Sequence, residues 1–204
     1  HPGSTIVTDS ITSVGLATFI KEHGGVHHRF KRGYKNVINE SLRLNKEGTE
    51  SWLAIETSGH AALRENYFLD DGAFLIAKLL VEAAKLNAKG ESLSSLISNL
   101  HQPAESKEIR FTIACDDFAD YGKIVLSELP GLINGISDWE IVTPNHEGIR
   151  ISCNGEQEKG WFLLRMSLHD PVMPLNIESD ILGGVAEIER RLMDILSRYD
   201  KLKA

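Results

Sequence analysis

The chain has 204 residues, of which 42% are hydrophobic and 25% are charged, and its formal net charge is −7. This balance is typical of an ordinary globular protein with one or two domains. The acidic excess argues against a nucleic-acid surface, and no apolar run approaches the roughly 20 residues that span a bilayer. We therefore expect neither a nucleic-acid nor a membrane partner, although a local cluster of cations can still bind phosphate.

The beginning of the chain and its cysteines bear on its cellular location. The sequence His1-Pro2-Gly3-Ser4 is not followed by the apolar segment of a signal peptide, and it fits a cut inside a longer protein or a tag remnant. Cys115 and Cys153 have no metal-binding spacing and make no disulfide framework. We expect an intracellular, reducing compartment, which could be the cytoplasm or an organelle such as a plastid.

The first half of the sequence predicts alternating strands and helices. Its continuous apolar runs fit parallel strands that are buried on both faces, and apolar residues at helical spacing lie between them. This alternation is typical of an α/β domain. The predicted strands are residues 5–8, 26–28 and 52–55, and the predicted helices are residues 14–23 and 34–45.

A longer helix is predicted near the end of the first half. It begins at Asp70-Asp71, where either carboxylate can cap the free N–H groups, and it runs to about Asn87. Apolar residues nearly encircle it, which predicts that the helix is well buried. One more short helix is expected between residues 93 and 100, and residues 101–106 are typical of a linker.

The pattern changes after the linker. Apolar and polar residues alternate from 109 to 115, which predicts a half-buried antiparallel strand. A helix is expected from Phe118 to Leu129, ended by Pro130-Gly131, and a last helix is expected with Asp180 as its cap. Grouped strands with helices at each end are typical of an α+β domain. Four further short strands are predicted at residues 139–142, 148–152, 161–166 and 172–178.

The predicted fold class is therefore α/β plus α+β. A three-layer α/β domain at residues 1–100 is followed by the linker at residues 101–106. A smaller α+β C-terminal domain with an antiparallel sheet occupies residues 107–204.

Three loops follow the predicted parallel strands, at residues 9–12, 29–35 and 56–60. They should lie side by side, because open α/β sheets bind ligands beyond the carboxyl ends of their strands. The second loop has four cations in seven residues, and the other two supply carboxylates and hydroxyls. Carboxylates and hydroxyls suit sugar hydroxyls, whereas Arg and Lys suit phosphate oxygens.

Each feature also has a simpler interpretation. A basic loop is usually a solvated surface, and residues 56–60 could be only a capped turn. The adjacent histidines 27 and 28 face opposite sides of a strand, so they make a poor metal pair, and residues 70–71 fit a helix cap better than a metal site. The polar segment 165–171 could be only a hairpin loop.

The ordered motifs resemble a known family. Glu56-Thr57-Ser58-Gly59-His60, followed by Asp70-Asp71-Gly72, resembles the third domain of the α-D-phosphohexomutases, which include phosphoglucomutases, phosphomannomutases and phosphoglucosamine mutases. The sugar-binding loop of that family reads Glu-x-Ser-Gly-His. Glu147-Gly148-Ile149-Arg150, Gly160-Trp161 and Arg165-Met166-Ser167 are similar to the fourth domain. The resemblance covers nearly the whole chain.

The resemblance implies roles for individual residues. Residues of the first half match family loops that hold sugar hydroxyls or orient the sugar. Residues of the second half match a family loop that holds the phosphate. After Ser167 the chain departs from the family pattern, because Leu168, His169 and Asp170 replace a small residue and a threonine. His169 could still donate to phosphate. The implied substrate-binding residues are Glu56, Ser58, Gly59, His60, Gly33, Tyr34, Arg165, Ser167 and His169.

The resemblance also implies an activity for the full-length parent, which would be an intramolecular phosphotransferase of the isomerase class acting on a hexose phosphate. The phosphoserine loop and the Asp-x-Asp-x-Asp magnesium loop of the family have no counterpart here and would precede residue 1. We therefore expect no catalytic residue and no metal ligand in this chain. Mg²⁺ and a hexose bisphosphate activator would act in the parent, and the partners would be the hexose phosphate and the missing N-terminal domains. The altered turn at 168–170 favours the alternative, a pseudoenzyme that binds sugar phosphates or partners.

Overall fold

A computed structural model of the chain describes residues 1–167 and 170–203. The chain forms two compact units, His1–His101 and a second unit that begins at Gln102. The first strand of the second unit begins at Glu105. The end of the segment predicted as a linker, residues 101–106, is therefore already part of a sheet.

The first unit alternates strands and helices as its apolar pattern predicts. Two short 3-10 helices, Arg64–Asn66 and Leu93–Ile97, complete it. The other elements are β1 (Thr5–Thr8), α1 (Val14–Glu22), β2 (Val26–Arg29), α2 (Tyr34–Lys46), β3 (Ser51–Ile55), β4 (Ala61–Leu63) and α3 (Gly72–Asn87).

The four strands described in this unit form one sheet in the order β2-β1-β3-β4. Strand β1 pairs in parallel with both β2 and β3, whereas β4 is antiparallel to β3. The pattern of apolar residues did not predict β4, because three residues directly after a polar turn are too short to show a period. The central position of β1 places the residues that follow it between the loops of its two neighbours.

Helices α1 and α2 cover the two faces of this sheet. On one face, Val7 and Ala54 of the strands pack with Val37 and Leu44 of α2. On the other face, the sheet and α1 enclose a mostly apolar cavity of about 290 Å³. The apolar side chains that line the cavity are Ile6, Leu16, Phe19, Ile20, Leu53 and Ile55. The unit therefore has the three layers that the sequence predicts.

Helix α3 does not match its predicted burial. Among its residues only Leu86 is buried, and Leu80 is 66% exposed. In the part of the chain that the structure describes, the 3-10 helix Leu93–Ile97 packs beside it. An apolar composition predicts that a helix needs a cover, but it does not say that the same chain provides one. The prediction that α3 is buried is therefore wrong.

The second unit is an α+β unit with an antiparallel sheet, as predicted. The described strands follow the order β10-β5-β9-β8-β7-β6, and every neighbouring pair is antiparallel. Helices α4 and α5 pack with this sheet around one apolar core. The elements are β5 (Glu105–Ile113), α4 (Phe118–Ile133), β6 (Trp139–Ile141), β7 (Ile149–Cys153), β8 (Gly160–Leu164), β9 (Val172–Ser179), α5 (Gly184–Leu196) and β10 (Leu202–Lys203).

Two helix boundaries in this unit differ from the prediction. Helix α4 continues through Pro130 to Ile133, because burial of Ile133 offsets the hydrogen bond that proline cannot make. Helix α5 begins after Gly183, and Asp180 is not its cap. Instead, the Glu105 carboxylate accepts the backbone N–H groups of Gly183 at 2.9 Å and Val185 at 3.2 Å. A cap supplied from another strand leaves no local sequence pattern.

No helix among the described residues combines the length and apolar character needed to cross a membrane.

Candidate functional site

The three loops that follow β1, β2 and β3 meet at one end of the sheet. We call residues 9–12, 29–35 and 56–60 the carboxyl edge. Hydrogen bonds join these loops in pairs, from Arg29 Nε to Thr12 Oγ1 at 3.0 Å and from Thr57 Oγ1 to Asp9 Oδ2 at 2.7 Å. The prediction that the loops lie side by side is therefore confirmed.

Glu56 joins the second loop to the third. Its Oε1 accepts the Gly33 N–H at 2.5 Å, and its Oε2 accepts the Ser58 hydroxyl at 3.1 Å. The residue is only 8% exposed, so its carboxylate is held between the two loops and is not displayed in an open cleft. Each carboxylate oxygen can accept a second hydrogen bond, so Glu56 keeps acceptor capacity beyond these two contacts.

Gly33 is suited to this contact by its backbone. Its φ of 114° lies in a region that side chains disfavour, and it directly precedes α2. A Cβ at this position would lie 3.0 Å from the side-chain nitrogen of Asn36. Glycine therefore lets the N–H point at Glu56 where the chain enters the helix.

An aromatic pair lies on the exposed side of the carboxyl edge. The rings of Tyr34 and His60 stack with centroids 5.1 Å apart. Nδ1 of His60 lies 2.7 Å from Oδ2 of Asp70. Because an ionised carboxylate can only accept, Nδ1 is the protonated nitrogen in this contact. The imidazole is half exposed and its orientation is set from two sides.

The two aspartates at the start of α3 have different roles. Asp71 Oδ1 accepts the Phe74 N–H at 3.0 Å, and this helix cap lowers the pKa of Asp71 below its ordinary value. Asp70 instead contacts His60. The sequence predicted a cap for the pair and missed the contact with His60. The sequence could have indicated this second role, because a helix needs only one of two adjacent carboxylates as its N-cap and the other is available for a different contact.

Asp9 is the buried acid of the carboxyl edge. It is 0% exposed, and burial raises the pKa of its carboxyl group. The neighbouring Glu56 raises this pKa further, whereas the hydrogen bond from Thr57 and the charge of Arg32 lower it. The sequence placed Asp9 in a candidate loop but did not single it out among the binding residues.

The predicted phosphate loop of the second unit, of which residues 165–167 and 170–171 are described, lies between β8 and β9. The N–H groups of Arg165 and Ser167 donate to the carbonyls of Pro174 at 3.1 Å and Val172 at 2.9 Å, which continues the pairing of β8 with β9. Met166 packs against Gly122 of α4, where a Cβ would lie only 1.9 Å from the Met166 sulfur. Since neighbouring side chains alternate along extended backbone, Arg165 and Ser167 face the side opposite α4.

Carboxylates accompany both of these residues. Arg165 is 8% exposed, and its Nη1 lies 4.0 Å from Oε1 of Glu147. Gly148, at φ 59°, permits this approach, since its Cβ would lie 2.2 Å from the Leu164 carbonyl oxygen. The Ser167 hydroxyl donates to Oδ2 of Asp170 at 3.5 Å and accepts the Asp170 N–H at 3.3 Å. The predicted ligand His169 and its neighbour Leu168 lie outside the described residues.

The described residues contain no group of three or more His, Cys, Asp or Glu side chains that could hold a metal ion.

A three-layer α/β unit with a Glu-x-Ser-Gly-His loop at its carboxyl edge, followed by an antiparallel α+β unit, defines the class of the phosphohexomutases. Residues 1–103 match the family model described as phosphoglucomutase/phosphomannomutase, alpha/beta/alpha domain III. The chain therefore belongs to the phosphoglucomutase/phosphomannomutase family.

Individual relatives agree with this assignment. The chain is 29% identical over 192 residues to a phosphomannomutase/phosphoglucomutase of Pseudomonas putida, covering 93% of this chain and 36% of the relative. The crystal structure of a family protein from Burkholderia thailandensis aligns with a TM-score of 0.70 and 25% identity, over 97% of this chain and 38% of that one. N-acetylphosphoglucosamine mutase of Aspergillus fumigatus, in complex with GlcNAc-6P and magnesium, shares the fold at a TM-score of 0.59 and 10% identity, over 97% of this chain and 39% of that one. The chain thus spans about two fifths of the length of these proteins.

Proposed function

We propose that this chain is the substrate-binding half of a phosphohexomutase and that its carboxyl edge holds the hexose of a hexose phosphate. The observation that supports this most is the hydrogen bond from Gly33 to Glu56, which joins two loops from neighbouring strands. The joined loops leave Ser58, His60 and Tyr34 exposed on the same edge.

The exposed groups suit a sugar. The Ser58 hydroxyl can donate and accept, and Nε2 of His60 can accept while Nδ1 is held by Asp70. The stacked ring of Tyr34 offers an apolar surface for the C–H groups of a pyranose. Lys31 and Lys35 are exposed in the basic loop and can attract the phosphate.

The parent reaction would move a phosphoryl group between two oxygens of one hexose. In such a reaction this chain contributes positioning, which raises the effective concentration of the reacting groups. The phosphoryl donor, the Mg²⁺ site and the response to a hexose bisphosphate activator would belong to the parent's other domains, as the family resemblance implies. We expect the isolated chain to be inactive, because phosphate monoesters react extremely slowly without such help.

A coupled assay tests the inactivity of the isolated chain. It would supply glucose 1-phosphate, glucose 1,6-bisphosphate and Mg²⁺, and we expect no glucose 6-phosphate above the background. Turnover that persists through rigorous purification, at a constant ratio to the protein, would contradict this part of the proposal.

Binding is tested by calorimetric titration of the chain with glucose 1-phosphate. Replacing Ser58 with alanine removes one hydroxyl, and we expect about a fivefold weaker Kd, the effect of one hydrogen bond. Ser94→Ala is the matched control, because Ser94 is an exposed serine in the 3-10 helix Leu93–Ile97. Equal affinities for Ser58→Ala and the unchanged chain would remove the support for a sugar site at this loop.

The second candidate function is that of a pseudoenzyme, which binds sugar phosphates or partners without turnover. The acidic surroundings of Arg165 favour it, because Glu147 competes with phosphate for the guanidinium. The rest of the parent sequence discriminates between the two functions. A serine in the phosphoserine loop together with the aspartate triplet indicates an enzyme, and loss of either indicates a binding protein.

A further inference from the structure

The main chain at Asp9 is held firmly where the central strand ends. Asp9 directly follows β1, which lies between β2 and β3. Its carbonyl oxygen accepts the hydroxyls of Thr12 at 3.2 Å and Thr8 at 3.3 Å. Thr12 is itself contacted by Arg29 from the neighbouring loop. The side chain of Asp9 is therefore presented from a fixed backbone.

The Asp9 carboxylate is hydrogen-bonded to Thr57, and one of its oxygens is unsatisfied. Oδ2 accepts the Thr57 hydroxyl at 2.7 Å, whereas Oδ1 is buried and has no hydrogen-bond partner among the residues that the structure describes. Leaving a buried carboxylate oxygen without a donor costs free energy. The buried Glu158 of the second unit differs, since its two oxygens accept from Arg191 at 2.6 Å and Trp139 at 2.9 Å. Asp9 is thus poorly explained as a simple stabilising group.

The position of Thr57 shows what the Asp9 contact can do. Thr57 stands between Glu56, which is tied to Gly33, and Ser58, which is exposed. With its hydroxyl bound to Asp9, the start of the loop is fixed on a second side. The direction in which Ser58 and the residues after it project is then set by two independent anchors.

We propose that Asp9 is a positioning residue for hexose binding, which holds Thr57 so that the exposed loop residues 58–60 present their groups to the sugar. This inference rests on the function proposed for the carboxyl edge. Asp9 itself need not touch the sugar, because it is fully buried.

The test compares five single variants and one double variant, Asp9→Ala with Thr57→Val, of the whole 204-residue chain. Asp9→Ala removes the acceptor, and Asp9→Asn keeps one. Thr57→Val removes the donor at nearly constant shape, and Thr57→Ser keeps it. Ser41→Ala is the control, because it removes a buried hydroxyl bonded to Ser51 at 2.5 Å, at the opposite end of β3. Each variant is measured twice, by the amide shifts of residues 57–60 without ligand and by the Kd for glucose 1-phosphate.

We expect Asp9→Ala and Thr57→Val to move the loop amides and to weaken binding about five- to tenfold. The double variant should bind no more weakly than Asp9→Ala alone, since loss of the carboxylate already removes the contact with the Thr57 hydroxyl. Asp9→Asn and Thr57→Ser should stay within about threefold of the unchanged chain. Ser41→Ala should lower the melting temperature without changing the Kd.

Loop amides and affinities that are unchanged in both Asp9→Ala and Thr57→Val would overturn the inference, as would an equal loss of affinity in Ser41→Ala. If Asp9→Ala does not fold, Thr57→Val decides the question alone. If the unchanged chain fails to bind glucose 1-phosphate, the proposed function is wrong, and the loop amides still show whether Asp9 positions this loop.

Discussion

Two regions of this chain match the substrate loops of one family in sequence, yet their surroundings differ. At the carboxyl edge of the first unit, the buried carboxylate of Glu56 receives hydrogen bonds while Ser58 and His60 remain exposed. At the 165–170 turn of the second unit, the cation Arg165 is buried and lies 4.0 Å from Glu147.

The difference shows that a matching motif fixes residue types but not their availability. A site for a neutral sugar ring needs exposed donors and acceptors on a fixed loop, and the carboxyl edge has them. A site for a phosphate needs cations that are not already neutralised, and a carboxylate near Arg165 lowers its attraction for an anion. We therefore propose that the carboxyl edge makes the main contribution of this chain to substrate binding.

The largest expected effect on this comparison comes from Glu56→Ala. Removing the carboxylate releases the Gly33 N–H and the Ser58 hydroxyl together, so we expect the Kd for glucose 1-phosphate to rise about tenfold or more. The free energy of unfolding should fall by about 1 kcal/mol, because the partly buried Gly33 N–H loses its partner. Titration and urea unfolding measure the two effects.

Glu47→Ala is the control for this variant. Glu47 is a largely exposed acid at the end of α2 whose ion pair with Arg43 is solvated, so its loss should change neither quantity appreciably. If Glu56→Ala bound glucose 1-phosphate as tightly as Glu47→Ala, the proposal that the carboxyl edge binds the sugar phosphate would be contradicted.

A smaller effect is expected on phosphate binding near Arg165 in the second unit. Glu147→Gln removes the negative charge beside Arg165, and we expect inorganic phosphate to bind the turn about two- to threefold more tightly. The amide shifts of Arg165 and Ser167 report this binding. Glu140→Gln makes the same charge change at an exposed position of β6. An equal gain in both variants would show a general charge effect and contradict the specific role of Glu147.

The smallest expected effect concerns the pH dependence of two buried acids in the first unit. Hydrogen bonds from Arg43 and His28 lower the pKa of Glu40 below its ordinary value of 4.5. The stabilisation by Glu40 is therefore present above pH 4.5 and is lost as pH falls through its folded pKa. The stability advantage of the unchanged chain over Glu40→Gln should therefore shrink as the pH falls below 4.5.

The contribution of Asp9 to folding stability should change with pH in the opposite direction. Burial raises its pKa above the ordinary value of 3.8, so its favourable contribution is complete below pH 3.8 and is lost as pH rises through the folded pKa. Asp9→Asn should therefore gain stability relative to wild type as pH rises. Hydrogen exchange of the Val7 and Ala54 amides between pH 3.5 and 7 measures both differences within the first unit. Slopes of the same sign for both variants would contradict the assignment.

Much of the first unit could be predicted from its sequence, because it follows from local pattern. The apolar runs at residues 5–8 and 52–55 and the short segment at 26–28 predicted the three parallel strands, and the rule for open α/β sheets predicted that their loops lie together. The burial of Glu56 could not be predicted, since it depends on an N–H group 23 residues away at Gly33. The role of Asp70 was missed for the same reason, because its partner His60 lies on a different loop.

In the second unit, long-range contacts decided the details that local rules missed. Pro130 is a helix breaker by local chemistry, but the buried face of α4 continues beyond it to Ile133. The start of α5 is capped by Glu105, which lies on a distant strand and not beside the helix. Sequence pattern therefore predicted the longer elements, whereas neighbours in space set their boundaries and the partners of the charged groups.

The most direct test of the central claim is a titration of the isotopically labelled chain with glucose 1-phosphate, followed by NMR. Our account predicts that the largest amide shifts occur at residues 33–34 and 58–60, with smaller shifts at Arg165 and Ser167. Inorganic phosphate alone should not reproduce the shifts at residues 58–60, since they depend on sugar hydroxyls. Shifts confined to the 165–170 turn, or no shift at residues 58–60 at millimolar glucose 1-phosphate, would contradict the claim that the carboxyl edge holds the hexose.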